Sequence, residues 1–194
     1  MSFYRNWKEF FELTKNKPPR ALLVRSMPYV IERNAALDLG AGALNDSVYL
    51  LNEQFRKVTA LDREPVAQSI AQTLPKDRFS YVISSVEDFN YTPNTYDLIN
   101  AQYVLPFVKN SQIEVVVSKI YAALTSGGIF TGQIFGERDE WARNATVTFR
   151  TEKQARQLFN PFELLVFEEE EQDAQTAAGI MKHWHIFNFI ARKK

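Results

Sequence analysis

From residue 34 onward, short apolar segments of the sequence alternate with segments of helical periodicity. The segments that we predict as strands are residues 35–39, 57–62, 79–84, 96–101 and 129–135. The longest helical pattern between them, residues 112–124, is amphipathic, and we expect the glycines of residues 126–128 to end that helix. Strands that alternate with helices are typical of an α/β fold with a doubly wound, mostly parallel sheet.

The C-terminal part of the sequence departs from this alternation. Residues 162–167 and 184–191 have strand patterns, and we expect the acidic residues 168–173 between them to form a solvated loop. Two strands joined in this way predict an antiparallel hairpin at one edge of the sheet, which would then have seven strands.

The N-terminal part precedes the first clear strand. Tyr4, Trp7, Phe10 and Phe11 predict a helix with an aromatic face, which the prolines of residues 18–19 would end. We therefore expect residues 1–30 to form a helical cap on a domain made of residues 31–194. The cap would either pack against the sheet or form a lid over a ligand.

The composition excludes several classes of protein. The chain of 194 residues has 23 basic and 23 acidic residues, no Cys and two His. Without Cys there is no disulfide scaffold, thiolate zinc site or thiol nucleophile, and two His are too few for us to predict a metal. A net charge of zero argues against nucleic-acid and membrane partners. With no signal peptide or membrane-spanning segment in view, we expect a cytoplasmic protein.

A glycine turn follows the first predicted strand and begins the next helix. Gly40 and Gly42 lie in this turn, where glycine allows a sharp bend and a close approach of a ligand to the main chain. Asp62 ends the second predicted strand, 20 residues after Gly42, where a carboxylate can accept hydrogen bonds from both hydroxyls of a ribose. A nucleoside-containing ligand is therefore expected at the carboxyl ends of the strands.

The type of nucleoside depends on the position of the third small residue. A dinucleotide-binding fingerprint has a small residue where this chain has Asn45, so binding of a pyrophosphate is less favoured. S-adenosylmethionine has no phosphate and needs contacts only for its amino-acid end, its ribose and its adenine.

Several segments together resemble the class I S-adenosylmethionine-dependent methyltransferases, and within them the tellurite-resistance/thiopurine methyltransferase-like branch. The segments that carry the resemblance follow the family's order at suitable spacing: residues 38–50, 58–62, 85–89, 96–101, 124–130 and 183–193. The resemblance implies a Rossmann-like methyltransferase fold and S-adenosylmethionine as the cofactor.

The resemblance also implies roles for individual residues. The methionine end of the cofactor would lie over Gly40, Ala41 and Gly42, with Asp38 holding that loop and the ammonium group. Asp62 would bind the ribose. The residues implied to lie near the adenine or the sulfonium are Arg63, Ser85, Val86, Glu87, Ala101 and Gln102.

Candidates on the substrate side follow the later strands. Tyr103 and His183 are the candidate catalytic residues, the latter because histidine can act as a base near neutral pH. Arg138 could bind an anionic substrate, whereas Trp141 and Trp7 could form walls of the pocket. Each of these residues could equally have an ordinary structural role.

We therefore expect an S-adenosylmethionine-dependent methyltransferase that acts on a small molecule by in-line methyl transfer. The sequence departs from the family pattern at Leu44, a frequent glycine position, and at Ser85, a frequent Asp position. These departures leave open a non-catalytic homologue that binds the cofactor. A nicotinamide-dependent oxidoreductase is a less favoured alternative because of Asn45.

Overall fold

The computed structural model describes residues 7–144 and 146–194. Its one sheet contains eight strands, which are β1 (Ala35–Leu39), β2 (Lys57–Asp62), β3 (Phe79–Ile83), β4 (Tyr96–Ala101), β5 (Leu124–Gly136), β6 (Phe149–Arg150), β7 (Phe162–Gln175) and β8 (Met181–Lys193). Seven of them follow the order β3-β2-β1-β4-β5-β8-β7, and the two-residue β6 pairs with β5. The predicted seven-stranded, doubly wound sheet is confirmed, with β6 as an addition.

The α-helices are α1 (Trp7–Thr14), α2 (Ala21–Ser26), α3 (Asn45–Asn52), α4 (Gln68–Ala71), α5 (Ile113–Ala123) and α6 (Glu152–Leu158). Short 3-10 turns lie at Met27–Tyr29, Pro65–Ala67, Leu105–Phe107 and Glu140–Arg143. The predicted aromatic N-terminal helix corresponds to α1, and Tyr4 lies outside the described residues. Among the helices that the structure describes, none has the length and apolar character needed to cross a membrane.

Two apolar layers cover the central strands. Alternate residues of β1 point to opposite faces, so Ala36 packs with the layer beneath α2 and α3 while Leu37 packs with the layer beneath α5. β2 and β4 lie parallel to β1 on either side of it. The carboxyl ends of these three strands therefore meet at one edge of the sheet, where ligands of open α/β folds bind.

The C-terminal hairpin differs from the prediction in two respects. β8 lies between β5 and β7, so of the two hairpin strands only β7 lies at the edge of the sheet. The acidic residues 168–173 belong to β7 and pair with β8 from Asn188 to His183, so the predicted solvated loop was wrong. The acids form a strand because their side chains alternate between two faces and find partners on each, including Arg138 and Asn188.

The end of α5 also differs from the prediction. The helix stops at Ala123, and the extended Leu124 already pairs with Tyr96 of β4. Regular pairing of the two strands resumes at Ile129, so the segment between forms an irregularity in β5. Gly127, with φ +76°, takes the left-handed conformation inside this irregularity and does not cap the helix.

Candidate functional site

A cavity of about 620 Å³ lies at the carboxyl ends of β1, β2 and β4. Its floor is the turn between β1 and α3, and α1 with the proline segment after it lies along one side. The cavity-facing side of β7 and β8 forms another wall, which includes Glu170 and Trp184. The volume is in the range of roughly 300–1,000 Å³ that is usual for small-molecule sites.

The turn after β1 has the conformation that its glycines permit. Gly40 has φ +66° and Gly42 has φ +49°. A Cβ atom added to Gly40 would lie 2.6 Å from a methyl group of Val104, so this position has neither the backbone nor the space for a side chain. The predicted turn therefore lies on the cavity floor, with Ala41 between the two glycines.

The conformation of Leu44 explains how a leucine can occupy a position where the family often has glycine. Its φ is +65°, the left-handed conformation that a glycine adopts without cost, while its side chain is completely buried. A strained backbone here costs roughly 1–2 kcal/mol. Full burial of a Leu side chain contributes roughly 1.5–3 kcal/mol, which offsets that cost. The turn thus keeps the glycine-like geometry with a different residue.

Asp62 connects the end of β2 to the glycine turn. Its Oδ2 accepts a hydrogen bond from the Gly42 N–H at 2.8 Å, and its Oδ1 accepts one from the Glu64 N–H at 2.9 Å. The carboxylate also lines the cavity. Since a carboxylate has about four lone-pair sites, both oxygens retain capacity for a ribose.

Two buried carboxylates lie beneath the turn. Asn100 Nδ2 donates to Asp38 Oδ1 at 2.8 Å and to Asp46 Oδ2 at 3.1 Å. Ser47 Oγ donates to Asp38 at 2.5 Å, and the Arg20 N–H donates to Asp46 at 2.8 Å. Burial, followed by the charge of Asp46, raises the pKa of Asp38 to about 7, and burial also raises the pKa of Asp46.

The raised pKa of Asp38 predicts a pH dependence of stability. The folded chain holds a proton on Asp38 that the unfolded chain releases near pH 4, so this stabilising contribution is lost as pH rises toward and through 7. We expect the free energy of unfolding to fall between pH 5 and pH 7, by at most about 1.4 kcal/mol per pH unit for this group, and to level off above pH 7. Urea unfolding across this pH range measures the slope.

Asp38→Asn isolates the contribution of this carboxyl to that slope. We expect Asp38→Asn to retain only the part of the pH dependence of unfolding that is due to Asp46. Asp77→Asn, which changes an exposed carboxylate, should show the same pH dependence as wild type. A slope in Asp38→Asn equal to that of wild type would contradict the assignment.

The residues predicted near the adenine lie together along the cavity. Arg63, Ser85, Val86 and Glu87 all line it. Ser85 Oγ donates to Asp88 Oδ2 at 2.7 Å and accepts from the Asp88 N–H at 3.1 Å, so the serine closes its own turn with Asp88, which does not line the cavity. This arrangement is a physical reason for serine at a position where the family often has Asp.

Ala101 and Gln102 have different positions. Ala101 is fully buried and is not among the residues that line the cavity, whereas Gln102 is one of them. The Gln102 side chain donates to Asn100 Oδ1 at 2.8 Å and accepts from Gln133 Nε2 at 2.8 Å. The Gln133 Oε1 in turn accepts from the Tyr103 N–H at 3.0 Å, so an amide chain connects the buried carboxylates to Tyr103.

Tyr103 lies at the far side of the cavity among aromatic rings. Its ring centre is 6.4 Å from that of Phe135 and 6.1 Å from that of Trp184, and the Arg20 guanidinium lies 5.0 Å from it. Burial raises the pKa of the Tyr103 phenol. The phenol therefore stays protonated at neutral pH, where it can donate a hydrogen bond but is a poor base.

The two tryptophans predicted on the substrate side both line the cavity. Trp141 is buried, 5.6 Å from Trp184 between ring centres. Trp7 packs edge-on against Phe107 at 6.1 Å, and the Arg63 guanidinium lies 5.2 Å from its ring centre. Helix α1 and the 3-10 turn Glu140–Arg143 therefore both contribute to the lining of the cavity.

Arg138 and His183 lie elsewhere, on the hairpin face that does not line the cavity. Arg138 binds Glu171 and Glu169, and these hydrogen bonds raise the pKa of its guanidinium. The hydrogen bond with Asp173 is the main cause that raises the pKa of His183, and the hydrogen bond with Glu171 is the second. Glu169, Glu171 and His185 are near enough together to bind a metal ion, but Arg138 contacts all three. Arg138 and His183 are thus paired with acidic residues of β7, away from the cavity.

Sequence reasoning missed several residues of the site. Arg20, Asp46, Glu170 and Trp184 all line the cavity. Asp46 had a usable signal, because it follows the glycine turn at the start of α3. Arg20 and Glu170 had none, since their positions depend on how the cap and the hairpin fold onto the sheet.

Residues 36–128 match the model of a methyltransferase domain family. No curated protein sequence matches the chain. TehB from Haemophilus influenzae has a TM-score of 0.77 and 17% identity, covering 97% of this chain and 68% of its own. A Burkholderia thailandensis 1,6-didemethyltoxoflavin-N1-methyltransferase was solved with 1,6-didemethyltoxoflavin and S-adenosylhomocysteine. It has a TM-score of 0.70 and 22% identity, covering 90% of this chain and 77% of its own.

A third similar structure is the N-methyltransferase NodS from Bradyrhizobium japonicum WM9, with a TM-score of 0.68 and 18% identity over 97% of this chain and 98% of its own. These likenesses establish the fold, and the predicted Rossmann-like methyltransferase fold is confirmed. The domain match covers 93 of the 194 residues and supports the predicted S-adenosylmethionine cofactor.

Proposed function

We propose that the protein is an S-adenosylmethionine-dependent methyltransferase that acts on a small molecule. The observation that carries the proposal is the convergence of the glycine turn, Asp62 and the buried Asp38–Asp46 pair on one covered cavity. No cation is hydrogen-bonded to Asp38 or Asp46 in the described part of the chain. Buried carboxyl groups of this kind fit the ammonium group of the cofactor, because its positive charge would favour the ionised form of Asp38.

The other parts of the cavity suit the rest of the cofactor. Asp62 is assigned to the ribose hydroxyls, and Arg63, Ser85, Val86 and Glu87 are assigned to the adenine side. Arg20 is the candidate partner for the cofactor carboxylate, because it lines the cavity and its N–H is bonded to Asp46. The bound cofactor supplies a methyl group activated by positively charged sulfur.

The chain's own contribution to the reaction is mainly positioning. The leaving sulfur is neutral, so no acid is needed to expel it, and alignment of an acceptor can supply much of the rate. Tyr103 is placed to orient the acceptor by donating a hydrogen bond, since its phenol remains protonated. The described part of the cap, residues 7–30, is assigned as a lid, supported by the hydrogen bond from Asn45 Nδ2 to the Thr14 carbonyl at 2.8 Å.

Three observations favour a small acceptor. Residues of α1 and of the proline segment after it line the cavity, the volume suits small molecules, and the net charge is zero. Among the similar structures, the 1,6-didemethyltoxoflavin-N1-methyltransferase contains bound 1,6-didemethyltoxoflavin. We also assign the protein to the tellurite-resistance/thiopurine methyltransferase-like branch, which the likeness to TehB supports.

Titration calorimetry with S-adenosylhomocysteine tests the proposal. We expect one binding site per chain with a dissociation constant in the micromolar range. Absence of binding at millimolar ligand would contradict it. Binding without transfer of a labelled methyl group to any of a broad panel of small acceptors would instead support a non-catalytic homologue.

A further inference from the structure

One face of the C-terminal hairpin forms the acceptor side of the cavity. Gln172 of β7 lies opposite Trp184 of β8, and Glu170 lies opposite Ile186. All four of these residues line the cavity. Glu170 and Trp184 are therefore diagonal neighbours across the two strands, within reach of one ligand.

Glu170 differs from the neighbouring acids of β7 in its partners. Glu168 pairs with Arg25, and Glu169 and Glu171 both pair with Arg138. Glu170 accepts hydrogen bonds only from neutral amides among the described residues, one from Gln172 and one from Asn188 at 2.9 Å. A half-buried carboxylate on the cavity wall thus has no cationic partner within the described chain.

Aromatic rings surround the space beside this carboxylate. Trp184 lies 5.8 Å from Phe135 between ring centres, and both rings are near Tyr103. The same wall already binds one cation of the chain itself, because the Lys182 ammonium lies 3.7 Å from the centre of the Trp184 ring. The charge of Lys182 is balanced by Asp139, so it does not neutralise Glu170.

We propose that the methyl acceptor is an aromatic molecule with a cationic nitrogen, whose ring lies against Trp184 and Tyr103 and whose nitrogen pairs with Glu170. This inference rests on the proposed function, because it names the acceptor class for that site. An aromatic wall with one carboxylate attracts a cation through the ring faces and through charge, and rejects an anionic analogue.

Arg20 is the feature that could favour the opposite charge. Its guanidinium lies 5.0 Å from the centre of the Tyr103 ring and could bind an anionic acceptor. The Arg20 main chain lies at the cofactor end, however, because its N–H donates to Asp46, and the proposed function assigns its guanidinium to the cofactor carboxylate. The two assignments predict opposite charge preferences, so a direct experiment can decide between them.

Three pairs of probes that share a ring and differ in charge provide the test: benzylamine with benzoate, phenethylamine with phenylacetate, and tryptamine with indole-3-acetate. Each is titrated into the full chain saturated with S-adenosylhomocysteine. We expect at least one amine to bind, and to bind at least tenfold more tightly than its paired acid. Binding of the acids with equal or higher affinity, or no binding of any amine at millimolar concentration, would overturn the inference.

Glu170→Gln tests the assigned residue with little change of shape. We expect it to weaken binding of the preferred amine about fivefold and to leave the dissociation constant of S-adenosylhomocysteine within twofold of wild type. Glu163→Gln, which removes an exposed charge near the other end of β7, is the matched control and should change neither. Unchanged amine binding in Glu170→Gln would overturn the role of Glu170. Failure of S-adenosylhomocysteine to bind wild type would instead contradict the proposed function.

Discussion

Replacing Asp62 by Ala should weaken binding of S-adenosylhomocysteine by at least about a hundredfold. The carboxylate is expected to accept two hydrogen bonds from the ribose, and each bond to a charged group contributes about 1.5–3 kcal/mol. The same carboxylate holds the Gly42 N–H at 2.8 Å, so its removal also loosens the cavity floor. Titration calorimetry of the purified variant gives the affinity directly.

Two further variants separate the effects of Asp62. Asp62→Asn keeps one oxygen that can accept from the Gly42 N–H, so its loss of affinity should fall between those of wild type and Asp62→Ala. Asp77→Asn removes an exposed carboxylate and should bind as wild type does. If Asp62→Ala bound S-adenosylhomocysteine as tightly as wild type, Asp62 would have no part in holding the ribose.

The sequence could predict the cofactor end of the site because the relevant residues follow strand ends. Gly40, Gly42 and Asp62 come directly after β1 or at the end of β2, and parallel pairing brings these positions together. This geometry needs only the order of the strands. It does not depend on the distant parts of the chain.

The acceptor side could not be predicted in this way. The position of Glu170 next to Trp184 depends on the register of β7 against β8. A shift of one residue would turn the Glu170 side chain to the opposite face of the sheet. A run of acidic residues has the composition of a solvated loop, and only the partners on the folded sheet make it a strand. The prediction of Arg138 on the substrate side was wrong for the same reason, because its acidic partners belong to that hairpin.

The amide chain gives the two ends of the site a structural connection. It runs from the carboxylate pair through Asn100, Gln102 and Gln133 to the backbone of Tyr103. Tyr103 has φ +57°, a strained conformation for a non-glycine residue, which must be held by its surroundings. The hydrogen bond from its N–H to Gln133 is one of the interactions that hold it. Satisfied buried networks of this kind are rigid, so the acceptor wall is fixed relative to the cofactor end.

Replacing Asp139 by Ala should have the largest effect on stability. Asp139 and Lys182 form an ion pair in which both side chains are almost completely buried. Asp139 also accepts hydrogen bonds from the Trp141 N–H at 3.0 Å and the His185 N–H at 3.2 Å. Breaking one side of such a pair typically costs 3–5 kcal/mol, so we expect the melting temperature to fall by about 10 °C.

The double variant Asp139→Ala/Lys182→Met distinguishes a buried charge from simple loss of packing. Removal of both charges leaves no unpaired ammonium among the rings of Phe135, Trp141 and Trp184, so the double variant should be more stable than Asp139→Ala alone. Glu163→Ala, which breaks an exposed pair with Arg192, should change stability by less than about 1 kcal/mol. A double variant no more stable than Asp139→Ala would mean that the stability of this wall comes from the hydrogen bonds of Asp139 and not from charge balance.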